Sequence, residues 1–490
     1  MLSFAELSRQ AREHRLLAGI GANLLSELGR AALLPVIAII AARYLGAERY
    51  GVFATAQALT ALGATFAGFG LLYAVLQLGA RQEEHLSTLL ANSVAGALVT
   101  ASLAYAALLG WVYLFDYSAT TREALLIMGT ALFPMAVNGQ LMAGLQVRGR
   151  YTVIAVGGMA AAVINVVYAV IVVTMDLGLN WLVGAPVLAS AMLTLVLAVA
   201  LRSELLANVR PHGVWRLFRM GFLFGLGDFL YFIYFSIDLI ILSIMVGERV
   251  VGLYNVPVRV LVVVYLVPVV LFNRVLYPRY LDWSRSDPDR LRATYLLTSK
   301  GMLVAGLLCA ASLTIVANPL LPAVFGSSFR ESADLLRILA LAVPLRYLSG
   351  SASAVLAATD RIATRVRIQA LSAALNIALC FAMIPALEAR GAAIATVITE
   401  AFLAVALIVA VRAQMVDADV MRETRGWLLL LPAAALLAAA VSHLPEWTIV
   451  LSGVVALGSL AVIAGPLKYL GSFSLPLPTR PPENEGRVVT

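Results

Sequence analysis

The sequence predicts an all-α polytopic membrane protein with 14 transmembrane helices, and three observations carry that prediction. The chain of 490 residues is 61% hydrophobic and only 13% charged, with a mean hydropathy of +0.92, beyond any ordinary soluble domain. Apolar windows of about 20 residues, each long enough to cross about 30 Å of hydrocarbon as a helix, recur along the whole length. An internal repeat divides the first twelve windows into two pseudo-symmetric six-helix lobes and leaves a two-helix hairpin at the C-terminal end.

The windows lie near residues 18–42, 52–76, 90–114, 124–145, 152–174, 181–201, 221–246, 253–278, 300–322, 333–357, 368–386, 391–411, 426–442 and 447–469. Residues 1–16, MLSFAELSRQAREHRL, contain no apolar core of a cleavable signal peptide. They read instead as an amphipathic helix lying on the membrane, with Phe4, Leu7 and Ala11 on one face. The domain plan is this interfacial helix (1–16), an N-lobe (17–201), a linker (202–220), a C-lobe (221–411), an accessory hairpin (412–470) and a Pro-rich polar tail (471–490) expected to be disordered.

The repeat rests on an ordered series of matches. LGAERYGVF after the first span pairs with VGERVVGLY after the seventh, so Gly46 and Gly51 correspond to Gly247 and Gly252, and at the same offset Glu27 corresponds to Asp228. Further on, Asn165 corresponds to Asn376 and VGAPVLAS (183–190) to RGAAIATV (390–397). An even number of spans separates the repeats, so the lobes share one orientation, and a substrate site is expected between them.

The net charge of +8 sorts by side of the membrane. With the N-terminus placed inside, inner loops and tails hold about 24 Lys and Arg and outer loops about six, the positive-inside pattern of a protein with both termini cytoplasmic. The excess is topological and does not point to nucleic acid. The linker carries Trp215 and Phe218 beside Arg216 and Arg219, as suits a structural elbow at the interface. Cys309 and Cys380 fall inside predicted helices and suggest neither a disulfide nor a metal site, and His14, His85, His212 and His443 have no metal spacing. There is no P-loop motif and no catalytic constellation on an outer loop, so neither an enzyme nor a bound cofactor is expected.

Ionisable groups at membrane depth mark the candidate site. In span 1, Asn23, Glu27 and Arg30 fall within about 60° on one stripe; in span 7, Asp228, Tyr231, Tyr234 and Asp238 spread over about 120°. Arg259 in span 8 is placed at the depth of Asp238, and pairing them would make that carboxylate tolerable. Asp238 is then either half of a structural pair or a cavity acid that positions Arg259 and titrates. Glu27 and Arg30 either neutralise each other or face the cavity. Arg274 suits snorkelling and Arg337 a pair with Asp334. Arg346 shares its face with Ala342, Ser349, Gly350 and Ser353, small residues that allow either close packing or a ligand. Glu400 lies mid-span without a local partner, suited to an ion or to a distant salt bridge.

AARYLGAERYGVFATAQAL (41–59), SIDLIILSIMVGERVVGLYNVPVRVL (236–261), AATDRIATRVRIQALSAALNIALCFAMIPALEARGAAIATVITEA (357–401) and the span layout together resemble the Wzx-type oligosaccharide flippases of the multidrug/oligosaccharidyl-lipid/polysaccharide (MOP) exporter superfamily. The resemblance covers roughly residues 10–411. It implies a V of two lobes alternating about a cationic cavity in the bacterial inner membrane, moving undecaprenyl-diphosphate-linked oligosaccharide outward for O-antigen, capsule or exopolysaccharide assembly. The resemblance also implies no use of ATP, with H+ or Na+ as the candidate coupling ions and a polymerase and a chain-length regulator as the candidate partners besides membrane lipids. The family's span 7 aspartate matches Asp238, its G-A-A-x-A-T-x-x-x-E glutamate matches Glu400, and its R-Y-L-G arginine matches Arg43, read as structural. Arg30, Arg259 and Arg346, as cavity cations, rest on periodicity alone.

Arginine forks suit a diphosphate. Asn23, Gln57, Asn138, Gln140, Tyr231 and Asn255 could bond sugars, while Glu27, Asp228, Asp238 and Glu400 are the candidates for ion coupling or charge pairing. The competing readings are a drug or metabolite antiporter of the related multidrug branch and a non-transporting scaffold of a polysaccharide assembly complex.

Overall fold

The computed structural model describes residues 4–81, 84–205, 209–359 and 361–414; side chains are described from Gly29 onward, with Arg30, Ala31, Ala32, Leu34, Tyr231, Tyr234, Asn273 and Arg274 excepted. Predicted spans 13 and 14 and the tail lie outside these residues. Within them the chain is helical: α1 (Phe4–Ala67), α2 (Leu71–Ala80), α3 (Leu86–Leu114), α4 (Ala119–Gly129), α5 (Leu132–Val147), α6 (Tyr151–Thr174), α7 (Leu179–Val183), α8 (Ala185–Ala200), α9 (Pro211–Met245), α10 (Glu248–Val270), α11 (Tyr277–Ser286), α12 (Pro288–Phe325), α13 (Ser332–Ala340), α14 (Ala342–Ala358) and α15 (Ile362–Arg412). Among the described residues nine helices are long and apolar enough to cross a membrane, and bent α9 makes a tenth.

Each of the first twelve predicted spans coincides with one helix, a limb of a broken helix or a stacked pair. Helix α1 holds span 1 and, past Gly46 (φ 69°), most of span 2, which α2 completes, and α15 holds spans 11 and 12, parted at Glu388 (φ 50°). Gly46 and its repeat partner Gly247 (φ 121°) both occupy backbone conformations that side chains with a Cβ rarely adopt. The two glycines therefore turn the chain at the same point of each repeat. Helix α1 is helical from Phe4, so residues 4–16 are continuous with span 1.

Proline shapes span 8. Pro257 and Pro268 sit inside α10, and beyond Pro268 the helix widens into a π turn over Leu271–Leu276. Helix α9 bends by 62° between Pro211–Leu230 and Phe235–Met245. Its first limb packs on α2 and α3, with Phe222 against Phe69 and Phe224 against Tyr73, while Asp238 on its second limb faces α15.

The six-span halves meet on small residues. A Cβ on Gly51 would lie 1.7 Å from the carbonyl oxygen of Glu248, and one on Gly252 would lie 2.0 Å from that of Ala47. Near the face that carries the 202–210 linker, Gly70 and Gly221 approach as closely: a Cβ on Gly70 would be 1.9 Å from the Gly221 oxygen. Lipid tails are as apolar as leucine, so burial drives little helix association in a bilayer, and close backbone approach supplies it. Large apolar side chains such as Leu103, Val156 and Phe381 accordingly remain on the outside.

Candidate functional site

Side-chain polarity at membrane depth gathers in three clusters. The first joins the halves. Asn255 on α10 is fully buried; its Oδ1 accepts from the Tyr50 hydroxyl of α1 at 2.9 Å and from Arg259 Nε at 3.0 Å. Arg259 also donates to Gln57 on α1. Among the described residues no carboxylate pairs with Arg259, and the Asn255 amide nitrogen is buried without a partner. A guanidinium and an amide donor thus sit side by side at the seam, held only by neutral acceptors.

The second cluster surrounds Asp238, which is 8% exposed. One carboxylate oxygen accepts from the Tyr254 hydroxyl and faces Thr396 Oγ1 at 3.5 Å; the other accepts from the Leu239 amide at 2.8 Å. Nearby on α15, Asn376 Nδ2 donates to Thr399 at 3.4 Å and Cys380 Sγ donates to Asn376 at 3.7 Å. The expected pair with Arg259 does not form. Helix α10 begins at Glu248, five residues before the predicted edge at 253, so Arg259 lies eleven residues in while Asp238 lies seven from the end of α9. Four residues amount to about 6 Å of depth. Tyr254, six residues in, takes the place instead.

The third cluster is Arg346 and Glu400, joined at 2.9 Å, both largely buried. The Arg346 guanidinium lies over the rings of Phe235 and Tyr265 at 5.5 and 5.4 Å. Glu400 therefore has the distant salt bridge that was one of its two readings, and Arg346 lies within the second half, away from the seam.

The other candidates separate. Asp228 is exposed and sits by Tyr73 of α2, and the α9 bend parts it from Asp238. Asn138 is spent inside the first half, donating to the Ser190 carbonyl at 3.1 Å and accepting from Thr194 at 2.8 Å. Arg337 pairs with Asp334 at 2.9 Å. Asn23, Glu27, Arg30, Tyr231, Tyr234 and Arg274 lie outside the described side chains. Sequence reasoning missed Tyr50, Tyr254 and Thr396. Thr396 precedes Glu400 by one helical turn, a signal available in the GAAIATVITE motif.

Toward the face opposite the linker, three contacts hold the halves together. Arg43 at the end of span 1 donates to the terminal carbonyls of α12, at 2.7 Å to Val324 and also to Ala323, a structural role. Glu248 accepts from Ser118 and Thr121 of the first half, each at 2.8 Å. Tyr117 and Ser243 bond at 3.1 Å.

The apolar helices together define a multi-span membrane protein. The family described as polysaccharide biosynthesis protein matches residues 40–334, and the chain belongs to that family. Among solved structures, the lipid II flippase MurJ in its inward closed conformation superposes with a TM-score of 0.69 at 14% identity, over 92% of this chain and 100% of MurJ. An inward-facing multidrug resistance MATE family transporter of the MOP superfamily gives 0.66 at 16% identity, over 79% of this chain and 95% of that one. The eukaryotic MATE transporter AtDTX14 gives 0.58 at 18%, over 84% and 98%. At these identities the likeness is one of fold, which is that of MOP transporters. No curated protein matches the sequence.

Proposed function

We propose that the protein is a flippase that carries an undecaprenyl-diphosphate-linked oligosaccharide from the cytoplasmic to the outer leaflet of the bacterial inner membrane by alternating access. Membership of a polysaccharide biosynthesis family and the MurJ-like fold support this reading. The observation that carries it is Arg259, a cation at the seam with no carboxylate against it among the described residues. Uncompensated charge at membrane depth is costly, and an anionic cargo offsets that cost on arrival. The guanidinium fork suits phosphate oxygens, and the unmet Asn255 amide adds a donor.

In this reading Arg30, Asn23 and Tyr231 extend the cargo site along spans 1 and 7, and Arg346 is a further cation. Asp238 and Glu400, with Glu27 and Asp228, are the acids through which H+ or Na+ couples to transport. The linker face is cytoplasmic, both termini lie there, and the Gly51–Gly252 seam with the Arg43 and Glu248 contacts closes the outer exit. Moving two negative charges outward gains about 4 to 5 kcal/mol per 100 mV of inside-negative potential. The product feeds O-antigen, capsule or exopolysaccharide assembly, with a polymerase and a chain-length regulator as partners.

Reconstituted vesicles carrying a fluorescent polyprenyl-diphosphate oligosaccharide test the activity. Protein-dependent transfer between leaflets is the expected result. Efflux of cationic drugs without lipid transfer would replace the reading with the antiporter alternative.

A further inference from the structure

We infer that Asn255 sets the charge selectivity of the seam: its neutral amide holds Arg259 in place without cancelling the guanidinium charge, and Tyr50 fixes the direction in which that amide faces. This role rests on the reading of Arg259 as a cargo cation and deepens it, because it names the residue that decides the sign of the cargo.

The direction of each hydrogen bond at Asn255 follows from what its partner can do. A guanidinium Nε–H only donates, so the Asn255 atom that meets it at 3.0 Å is the carbonyl oxygen Oδ1. An amide oxygen only accepts, so the Tyr50 hydroxyl, 2.9 Å from the same atom, is the donor of the second bond. Two donors on two helices thus hold the Oδ1 end of the amide. The Nδ2 end is left buried with no acceptor among the described residues. Tyr50 is itself held across the seam, 1% exposed and edge-to-face with Phe329 of the second half at 5.7 Å between ring centres. Gln57 treats Arg259 in the same way, accepting from it through Oε1.

The choice of asparagine runs against local stability. Aspartate has the same shape, would accept from Tyr50 and Arg259 at the same points, and would set a carboxylate against a partly buried guanidinium. Breaking such pairs is strongly destabilising, so a neutral residue here forgoes stability that the acid would give. Asn255 lies four residues before Arg259 on α10, one helical turn away, the position from which that charge is most directly cancelled. At the offset that pairs Gly51 with Gly252, the first repeat carries Ala54 and Ala58 where the second carries Asn255 and Arg259. Both alanines are buried, so at these positions the repeat places the cation in one half only.

Vesicles holding the full chain test the role with two fluorescent lipids that carry the same oligosaccharide, one on polyprenyl diphosphate and one on uncharged diacylglycerol. The readout is the ratio of their leaflet-transfer rates, read beside the thermal-unfolding midpoint of each variant. Wild type should favour the diphosphate. Asn255→Asp should unfold at or above the wild-type midpoint and lower the ratio at least about tenfold, from one charge-assisted interaction. Tyr50→Phe, which keeps the charge and frees the amide to turn, should keep the preference and raise the half-saturating diphosphate concentration about fivefold, from one neutral hydrogen bond. No transfer of the diphosphate lipid by wild type would overturn the transport reading and this role with it. Wild-type transfer with an unchanged ratio in Asn255→Asp, or a loss of transfer there that follows a lowered midpoint, would overturn the role of Asn255 alone. An unchanged half-saturation in Tyr50→Phe would overturn that of Tyr50.

Discussion

Gly51 and Gly252, corresponding residues of the two repeats, lie against each other: a Cβ on either would come within 3.0 Å of the other's backbone nitrogen and would strike the carbonyl oxygen of Glu248 or Ala47. The symmetry readable in the sequence is therefore also the contact that joins the halves. Gly51→Ala should lower stability by about 1 to 3 kcal/mol, because the nearest atoms are a carbonyl group that has no rotamer to yield. Gly110→Ala, where an added Cβ meets nothing within 4 Å, should be neutral in the same thermal-unfolding series.

Asp238 is held by neutral donors, of which the Tyr254 hydroxyl is one. Removing that hydroxyl strands part of a buried carboxylate, so Tyr254→Phe should cost about 1.5 to 3 kcal/mol. Asp238→Asn keeps an acceptor for the same hydroxyl and should cost less, while slowing lipid transfer in vesicles. Equal stability of Tyr254→Phe and wild type would show that the hydrogen bond is not made in the membrane.

Arg346 and Glu400 form an ion pair in which both side chains are less than a fifth exposed. Either Arg346→Gln or Glu400→Gln alone should cost about 3 to 5 kcal/mol, because each leaves the partner charge buried. The double variant should recover most of that loss. A double-mutant cycle on unfolding free energies measures the coupling, and additive losses would contradict it.

Arg43 caps the last carbonyls of α12 from the other half. Arg43→Ala should speed hydrogen exchange in residues 317–325 and leave α3 unchanged. Unaltered exchange at both places would show that this contact does not hold the end of α12.

Much of the fold was legible. Twelve span positions, the glycine turns at Gly46 and Gly247 and the repeat follow from hydropathy, periodicity and spacing, because lipid imposes length and polarity on each helix. The side-chain pairings were less so. Matching Asp238 to Arg259 required a helix edge correct to within one turn, and the predicted edge was five residues late. Placing Asp228 and Asp238 on one face required a straight helix, whereas α9 bends by 62° between them. Tyr50 escaped notice because a tyrosine near a helix end reads as an interfacial anchor; only the contact between the halves shows that it meets Asn255.

The central claim is that the Arg259 guanidinium at the seam, which no carboxylate meets among the described residues, binds an anionic lipid-linked cargo. Leaflet transfer of a fluorescent polyprenyl-diphosphate oligosaccharide, compared between wild-type vesicles and vesicles holding an equal amount of Arg259→Gln, tests it most directly. The account predicts transfer in the first and at least about a tenfold loss in the second, from one charge-assisted interaction. Equal transfer by the two proteins would contradict it.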